Sequence, residues 1–186
     1  MDEKRFKKYN FFHRKIFLLY FFLFIIFAAG MFSPFFFCVA SEGLCKVIYF
    51  FYGFTCHQLP SRSFFIGPVQ FPVCARCLSS NLSILAALAY FFYKKKYSKP
   101  FRMNWLLFII LLLPTVIDGG TQALRLREST NLIRVITGIP FGLGWGYFYA
   151  WLTRLFTAGL FLISNLALFK KEEVVVWLKE IKKLII

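Results

Sequence analysis

Acidic charge is what this chain has least of. Eight Asp and Glu stand against 23 Lys and Arg in 186 residues, and there are only two histidines. Long stretches hold no charge at all, as from Ile16 to Phe37. Hydrophobic residues make up 59% of the chain and the mean hydropathy is +0.65. A soluble domain of this length has no interior large enough for that apolar surface, so the shortage of charge excludes a soluble protein and leaves a membrane protein. Also missing is a polar stripe along the apolar runs, which argues against a channel built from a single copy. Length gives one integral membrane domain over residues 1–186.

The net charge of +15 would suggest a nucleic-acid partner in a soluble protein. Here the placement of the charges matters more than their sum. Lys4, Arg5, Lys7, Lys8, Arg14 and Lys15 precede the first apolar run. Lys94, Lys95, Lys96, Lys99 and Arg102 separate the second from the third, and Lys170, Lys171, Lys179, Lys182 and Lys183 follow the last. Alternation of this kind is the signature of cytoplasmic loops. The partner it implies is the lipid bilayer and not nucleic acid. The expected location is the inner cell membrane, multi-pass, with both termini cytoplasmic.

The expected fold is all-α and polytopic, with about four transmembrane helices near 16–37, 78–93, 104–117 and 134–154. An uncleaved anchor is favoured over a secretory signal for the first, because its apolar run exceeds a signal core. Leu44 to Phe54 is too short to cross and reads as an interfacial half-helix. Gln58 to Pro72, with three prolines and Gly67, reads as an ordered loop. Asp118-Gly119-Gly120 reads as the break that ends the third span. Pro140 is placed to kink the fourth, and 157–169 continues it as a bent or surface-lying segment with Arg154 snorkelling near the inner interface. An amphipathic tail over 172–186 lies on the cytoplasmic face. Gly138, Gly142 and Gly146, at spacing four, allow close helix approach, either as ordinary packing or as a homo-oligomer face. His13, in the basic N-terminal segment, is expected to be a bystander. In this topology residues 38–77 and 118–134 share the outer side.

Those two outer segments hold every candidate functional residue. Cys74 and Cys77 open the second span, where the helix N-terminus and Arg76 favour thiolates. With Cys56 and His57 they make a Cys₃His set sufficient for zinc or another transition metal. Two other readings stay open for the same residues: a redox Cys-x-x-Cys exchanging with Cys56, and a structural disulfide with His57 as a loop residue. Cys38 and Cys45 are either a staple of their own or unpaired small apolar residues. The second segment contributes Asp118, Gln122, Arg125, Arg127, Glu128, Asn131 and Arg134, with Gln58 and Arg62 adding from the first. Glu128 and Asp118 are the acid–base candidates. Gln58, Arg62, Gln122, Arg127, Asn131 and Arg134 are candidates for substrate contact or ligand support. The plainer alternative is an ion-pair network that orients the loop.

The strings CHQLPSRSF…PVCARC and DGGTQ…RESTNLIRVITG, over roughly residues 50–150, resemble an uncharacterised family of small prokaryotic multi-pass membrane proteins, catalogued as a domain of unknown function. The resemblance implies a site and no assigned chemistry. One departure is Leu78-Ser79-Ser80, where a Gly-containing stretch is expected after the second cysteine of the pair. The reading that results is a membrane protein with a metal- or thiol-centred site at its outer face. Its alternatives are a membrane thiol–disulfide oxidoreductase and a non-enzymatic assembly or transport component with structural disulfides. Against the oxidoreductase, the second outer segment offers no cysteine pair to relay electrons.

Overall fold

A computed structural model describes residues 3–94 and 102–164, with helical fragments at 174–176, 178–179 and 182. Helix α1 spans Glu3–Gly30 and begins well before the expected span. Tyr9, His13 and Phe17, at spacing four, are all buried, and this stripe lets the segment stay helical while Lys7, Lys8, Arg14 and Lys15 are exposed. Gly30 and Pro34 end the run. Pro34 opens a separate short helix, α2 (Pro34–Ala40), and Ser33 Oγ donates to the Gly30 carbonyl at 2.6 Å. The first span therefore stops at Gly30 and not at Phe37. Ser41 caps α3 (Glu42–Gly53), which at twelve residues is too short to cross. A disulfide joins Cys38 to Cys45 and clips α2 to α3.

The segment expected to be a loop is instead a small hairpin. After a 3-10 turn at Pro60–Arg62, β1 (Ser63–Ile66) pairs antiparallel with β2 (Val69–Cys74), with Ser63 opposite Cys74 and Ile66 opposite Val69. Gly67, at φ +58°, makes the turn. Strand β2 runs straight into α4 (Ala75–Tyr93) with Cys74 at its N-cap position. Asn104 caps α5 (Trp105–Ala123) through a 3.0 Å bond from the Leu107 amide. This helix passes through Gly119-Gly120 and does not break there. Helix α6 (Asn131–Ser164) is continuous through Pro140 and beyond Thr157, so that part of the expected bent continuation is plain helix. The rest of that continuation and most of the expected amphipathic tail lie outside the described residues.

Among the described residues, three helices are long and apolar enough to cross a membrane, within Lys7–Gly30, Ala75–Tyr93 and Trp105–Ala123. Large apolar side chains such as Leu19, Phe22, Leu106 and Ile110 point away from the protein, as a lipid-facing surface requires.

The glycine stripe is used inside the chain. A methyl group at Gly138 would meet Ser79 Oγ and, at 2.8 Å, the Arg76 carbonyl, and one at Gly142 would overlap the Ser80 carbonyl. One at Gly146 would stand 2.5 Å from Ala87 Cβ. Helix α4 covers the stripe, so no free glycine face is left for a second copy. Ser79, Ser80 and Ser83 supply the small surface on the α4 side, and Ser80 Oγ donates to the Gly138 carbonyl at 3.1 Å. The Leu-Ser-Ser departure thus preserves close approach, with serine doing what glycine would.

His13, expected to stand apart from the site, is buried at the opposite end of the bundle. It is 1% exposed, Nδ1 lies 3.2 Å from Thr157 Oγ1, and its ring stacks on Tyr9. Tyr9 OH donates to the Arg154 carbonyl at 3.3 Å, and the Arg154 guanidinium sits over the Tyr9 ring, buried rather than snorkelling. These contacts close the end of the bundle opposite the cysteines.

Gly142→Ala forces the α4–α6 contact apart and should cost about 1–3 kcal/mol. Gly159→Ala, with nothing within 4 Å of its added methyl, should be neutral or slightly stabilising. Thermal unfolding of both variants in detergent, followed by tryptophan fluorescence, checks the pair.

Candidate metal centre

Four element ends meet at one end of the bundle: the end of α3, the hairpin, the start of α4 and the α5–α6 connection. Cys56 lies just past α3, its amide donating to the Tyr52 carbonyl at 3.0 Å. Gln58 holds that corner. It adopts a left-handed backbone (φ 53°), and its Nε2 donates to the Tyr49 carbonyl at 2.6 Å. Gln70 Nε2, from β2, donates to the Gln58 carbonyl at 2.7 Å and to Ser63 Oγ at 3.1 Å. The corner is thereby tied to the hairpin.

The hairpin then delivers Cys74 and Cys77 to Cys56. The Cys74 amide donates to Cys56 Sγ at 3.1 Å, and the three sulfurs all lie within 4.8 Å of one another. All three thiols are free. Hydrogen bonds from the Cys74 and Cys77 thiols hold the Cys56 thiol well below the ordinary thiol range, and the bond to Cys56 pushes Cys74 up. Thiolate character is therefore favoured at Cys56 over Cys74. Three such sulfurs at this spacing can hold a metal ion. His57 is exposed and stands outside the sulfur group, on the wall of the same small cavity.

That cavity, about 180 Å³, is walled by His57, Gln58, Arg62, Arg76, Gln122 and Arg134 as well as the three cysteines. A second cavity of about 520 Å³ shares Arg62, Arg76 and Gln122 with it and adds Arg125, Arg127 and Glu128. Segments 38–77 and 118–134 therefore meet. Asn131 Nδ2 donates to the Ser63 carbonyl at 3.3 Å and Arg134 Nη1 to the Ser61 carbonyl at 3.5 Å. Arg134 also donates to Asn131 Oδ1 at 2.7 Å. Asp118, 1% exposed, lies beneath the larger cavity. One carboxylate oxygen accepts from Arg76 and from Ser129 Oγ at 3.0 Å, and the other from Arg127 at 2.5 Å. With both oxygens committed to guanidinium groups, Asp118 is built to position them and not to take up a proton. Glu128 is exposed on the cavity wall. Asp118 and Gln122 do share a face, because α5 continues through Gly119-Gly120. Gly119 matters there for a second reason: Arg76 Nη1 would lie 3.2 Å from a methyl group at that position.

Arg76, between Cys74 and Cys77 in the sequence, lines both cavities. Arg125, expected in the polar cluster of the second segment, lines the larger cavity. Ser129, which sequence reasoning does not single out, is buried and donates to Asp118.

These features define a helical membrane protein with a cysteine cluster and an arginine-rich polar cap at one end. The chain belongs to the family of predicted membrane proteins DUF2085, whose match covers residues 56–148. It is 36% identical over 138 residues to an uncharacterised protein of Methanocaldococcus jannaschii, covering 69% of this chain and 86% of that relative. It is 39% identical over 92 residues to an uncharacterised protein of Methanothermobacter thermautotrophicus, covering 49% and 80%. No solved structure matches it. The family match contains all three free cysteines and leaves the Cys38–Cys45 disulfide outside.

Asp118→Asn leaves two guanidinium groups beside lipid without their counter-charge. Breaking a buried pair costs about 3–5 kcal/mol, and the 39% exposure of the Arg127 side chain places the expected loss at the lower end, about 3 kcal/mol. A reduced Tm in detergent, larger than that of Glu128→Gln, is the expected result.

Proposed function

We propose that Cys56, Cys74 and Cys77 bind a soft divalent metal, zinc in the first instance, at the extracytoplasmic face of a cell membrane. One observation carries this reading. The three sulfurs lie within 4.8 Å of one another and stay unpaired, in a chain whose Cys38 and Cys45 have closed a disulfide. Zinc–sulfur bonds of about 2.3 Å put tetrahedral ligands roughly 3.8 Å apart, so little movement separates this cluster from a metal site. The surroundings favour it too. Arg62, Arg76 and Arg134 wall the cavity and offset the charge of several thiolates.

Three cysteine ligands leave a fourth position, which faces the cavity. His57 is the nearest protein candidate for it, from the cavity wall. If the position stays open, a bound ion supplies Lewis acidity and an activated water, which makes hydrolysis the reaction class to test. Glu128 is then the proton carrier, since Asp118 is fully engaged by arginines. Gln58, Gln122, Asn131 and Arg134 hold the walls of that cavity in place.

The orientation we favour has α1, α4, α5 and the first part of α6 as four crossings of the inner cell membrane, with both termini cytoplasmic. Support comes from the basic segments around 4–15, 94–102 and 170–183, which alternation puts on one side. An epitope inserted after Gly67 should bind antibody on intact cells. One inserted after Lys96 should bind only after permeabilisation, and the reverse pattern inverts the topology.

Elemental analysis of the detergent-purified chain should find about one equivalent of zinc or a related metal, lost in Cys56→Ser and in Cys77→Ser. His57→Ala should retain the ion if the fourth position is open and weaken it if the imidazole is a ligand. An absence of metal, with thiols that move between reduced and oxidised states, would transfer the assignment to a membrane thiol–disulfide oxidoreductase. Thiols that stay oxidised and serve only stability would leave a non-enzymatic assembly or transport component.

A further inference from the structure

We propose that the arginine cleft beside the cysteine cluster binds a phosphate ester or diphosphate, presented by an amphiphile at the membrane surface. The cleft is the cavity of about 520 Å³, and its walls include four arginines: Arg62, Arg76, Arg125 and Arg127. Only two carboxylates oppose them. Asp118 is taken up by Arg76 and Arg127, and Glu128 lies on the wall. Arg62 and Arg125 have no ion-pair partner among the described residues, so the cleft holds surplus positive charge. Several donors nearby are also unmet within the protein: Arg76 Nε, Gln122 Nε2 and, in the adjoining cavity, Arg134 Nε. Guanidinium groups in such a set match the paired oxygens of phosphate.

Backbone geometry supplies an independent observation. Arg125 and Gln58 are the two non-glycine residues with positive φ among those described, and each lines one of the two joined cavities. Arg125, at φ 57°, occupies the left-handed position just past α5, where its amide donates to the Gln122 carbonyl at 3.1 Å. Glycine is the usual residue at such a helix end. An arginine held there keeps a guanidinium on the cleft at a local conformational cost, the pattern expected of a ligand-binding position.

The flanks indicate an amphiphile. Leu124 and Leu126, each 72% exposed, alternate with Arg125 and Arg127, so apolar side chains project from the same short segment that lines the cleft. A phosphate in the cleft would place an attached acyl or prenyl chain beside that apolar surface. The site stands without the metal, since none of its arginines is a thiol-cluster ligand.

The test is equilibrium binding to the full chain in detergent, with dihexanoyl phosphatidic acid, inorganic pyrophosphate and neutral dihexanoylglycerol as probes. Phosphatidic acid should bind at least about tenfold more tightly than the neutral glyceride, and Arg62→Gln/Arg125→Gln should remove most of that preference. Tighter binding of phosphatidic acid than of pyrophosphate identifies a lipid source. The opposite order keeps the phosphate site, overturns the amphiphile, and assigns a soluble phosphate. Arg125→Gly separates function from folding: it should weaken phosphate binding while leaving Tm unchanged or raised, because glycine suits the left-handed position. No preference for either phosphate over the neutral probe, or an Arg125→Gly variant that binds as well as wild type, overturns the proposal.

Discussion

The double ion pair of Asp118 is the interaction on which the polar end of this protein depends. A carboxylate 1% exposed is tolerated only with strong partners, and it has Arg76, Arg127 and Ser129. Those partners belong to different parts of the chain: the first turn of α4 and the α5–α6 connection. Arg76 also lies between Cys74 and Cys77, so the contact that satisfies Asp118 fixes the helical turn bearing two of the three thiols. Gly119 leaves space for the guanidinium to lie down against α5.

Beneath this cap the helices are set close by small residues. Gly138, Gly142 and Gly146 on α6 face Ser79, Ser80, Ser83 and Ala87 on α4. Backbones at this separation leave little freedom to shift, so the elements carrying Cys77 and Arg134 form a rigid base. Beside the two cavities, Gln58 and Arg125 in the connecting segments hold left-handed backbone conformations.

What the sequence made legible is what hydrophobicity governs. Apolar run length marks helices long enough to cross a membrane, and three cysteines near one helix start mark the cluster, because each signal is local. The hairpin was hidden because Pro68 and Pro72 look like loop residues, while its pairing depends on Gln70 reaching Gln58 and Ser63. Gly119-Gly120 looked like a helix break, yet the Asp118 ion pairs and the Arg76 contact hold α5 helical there. His13 stands in a basic segment, but spacing four from Tyr9 and Phe17 turns it inward, onto Thr157 of a helix 144 residues away in sequence. No local pattern reports a partner that distant. The glycine stripe was readable as a close contact, though whether with another copy or with α4 depended on the fold.

Cobalt(II) titration of the reduced, metal-free protein tests the central claim most directly, because the optical spectrum reports ligand type and geometry together. A saturable, roughly stoichiometric rise of intense visible bands with thiolate charge-transfer absorption is the predicted result, and it should disappear in Cys74→Ser. Weak, unsaturating absorption of a six-coordinate hydrated ion, unchanged by that substitution, would contradict a metal centre formed by these three cysteines.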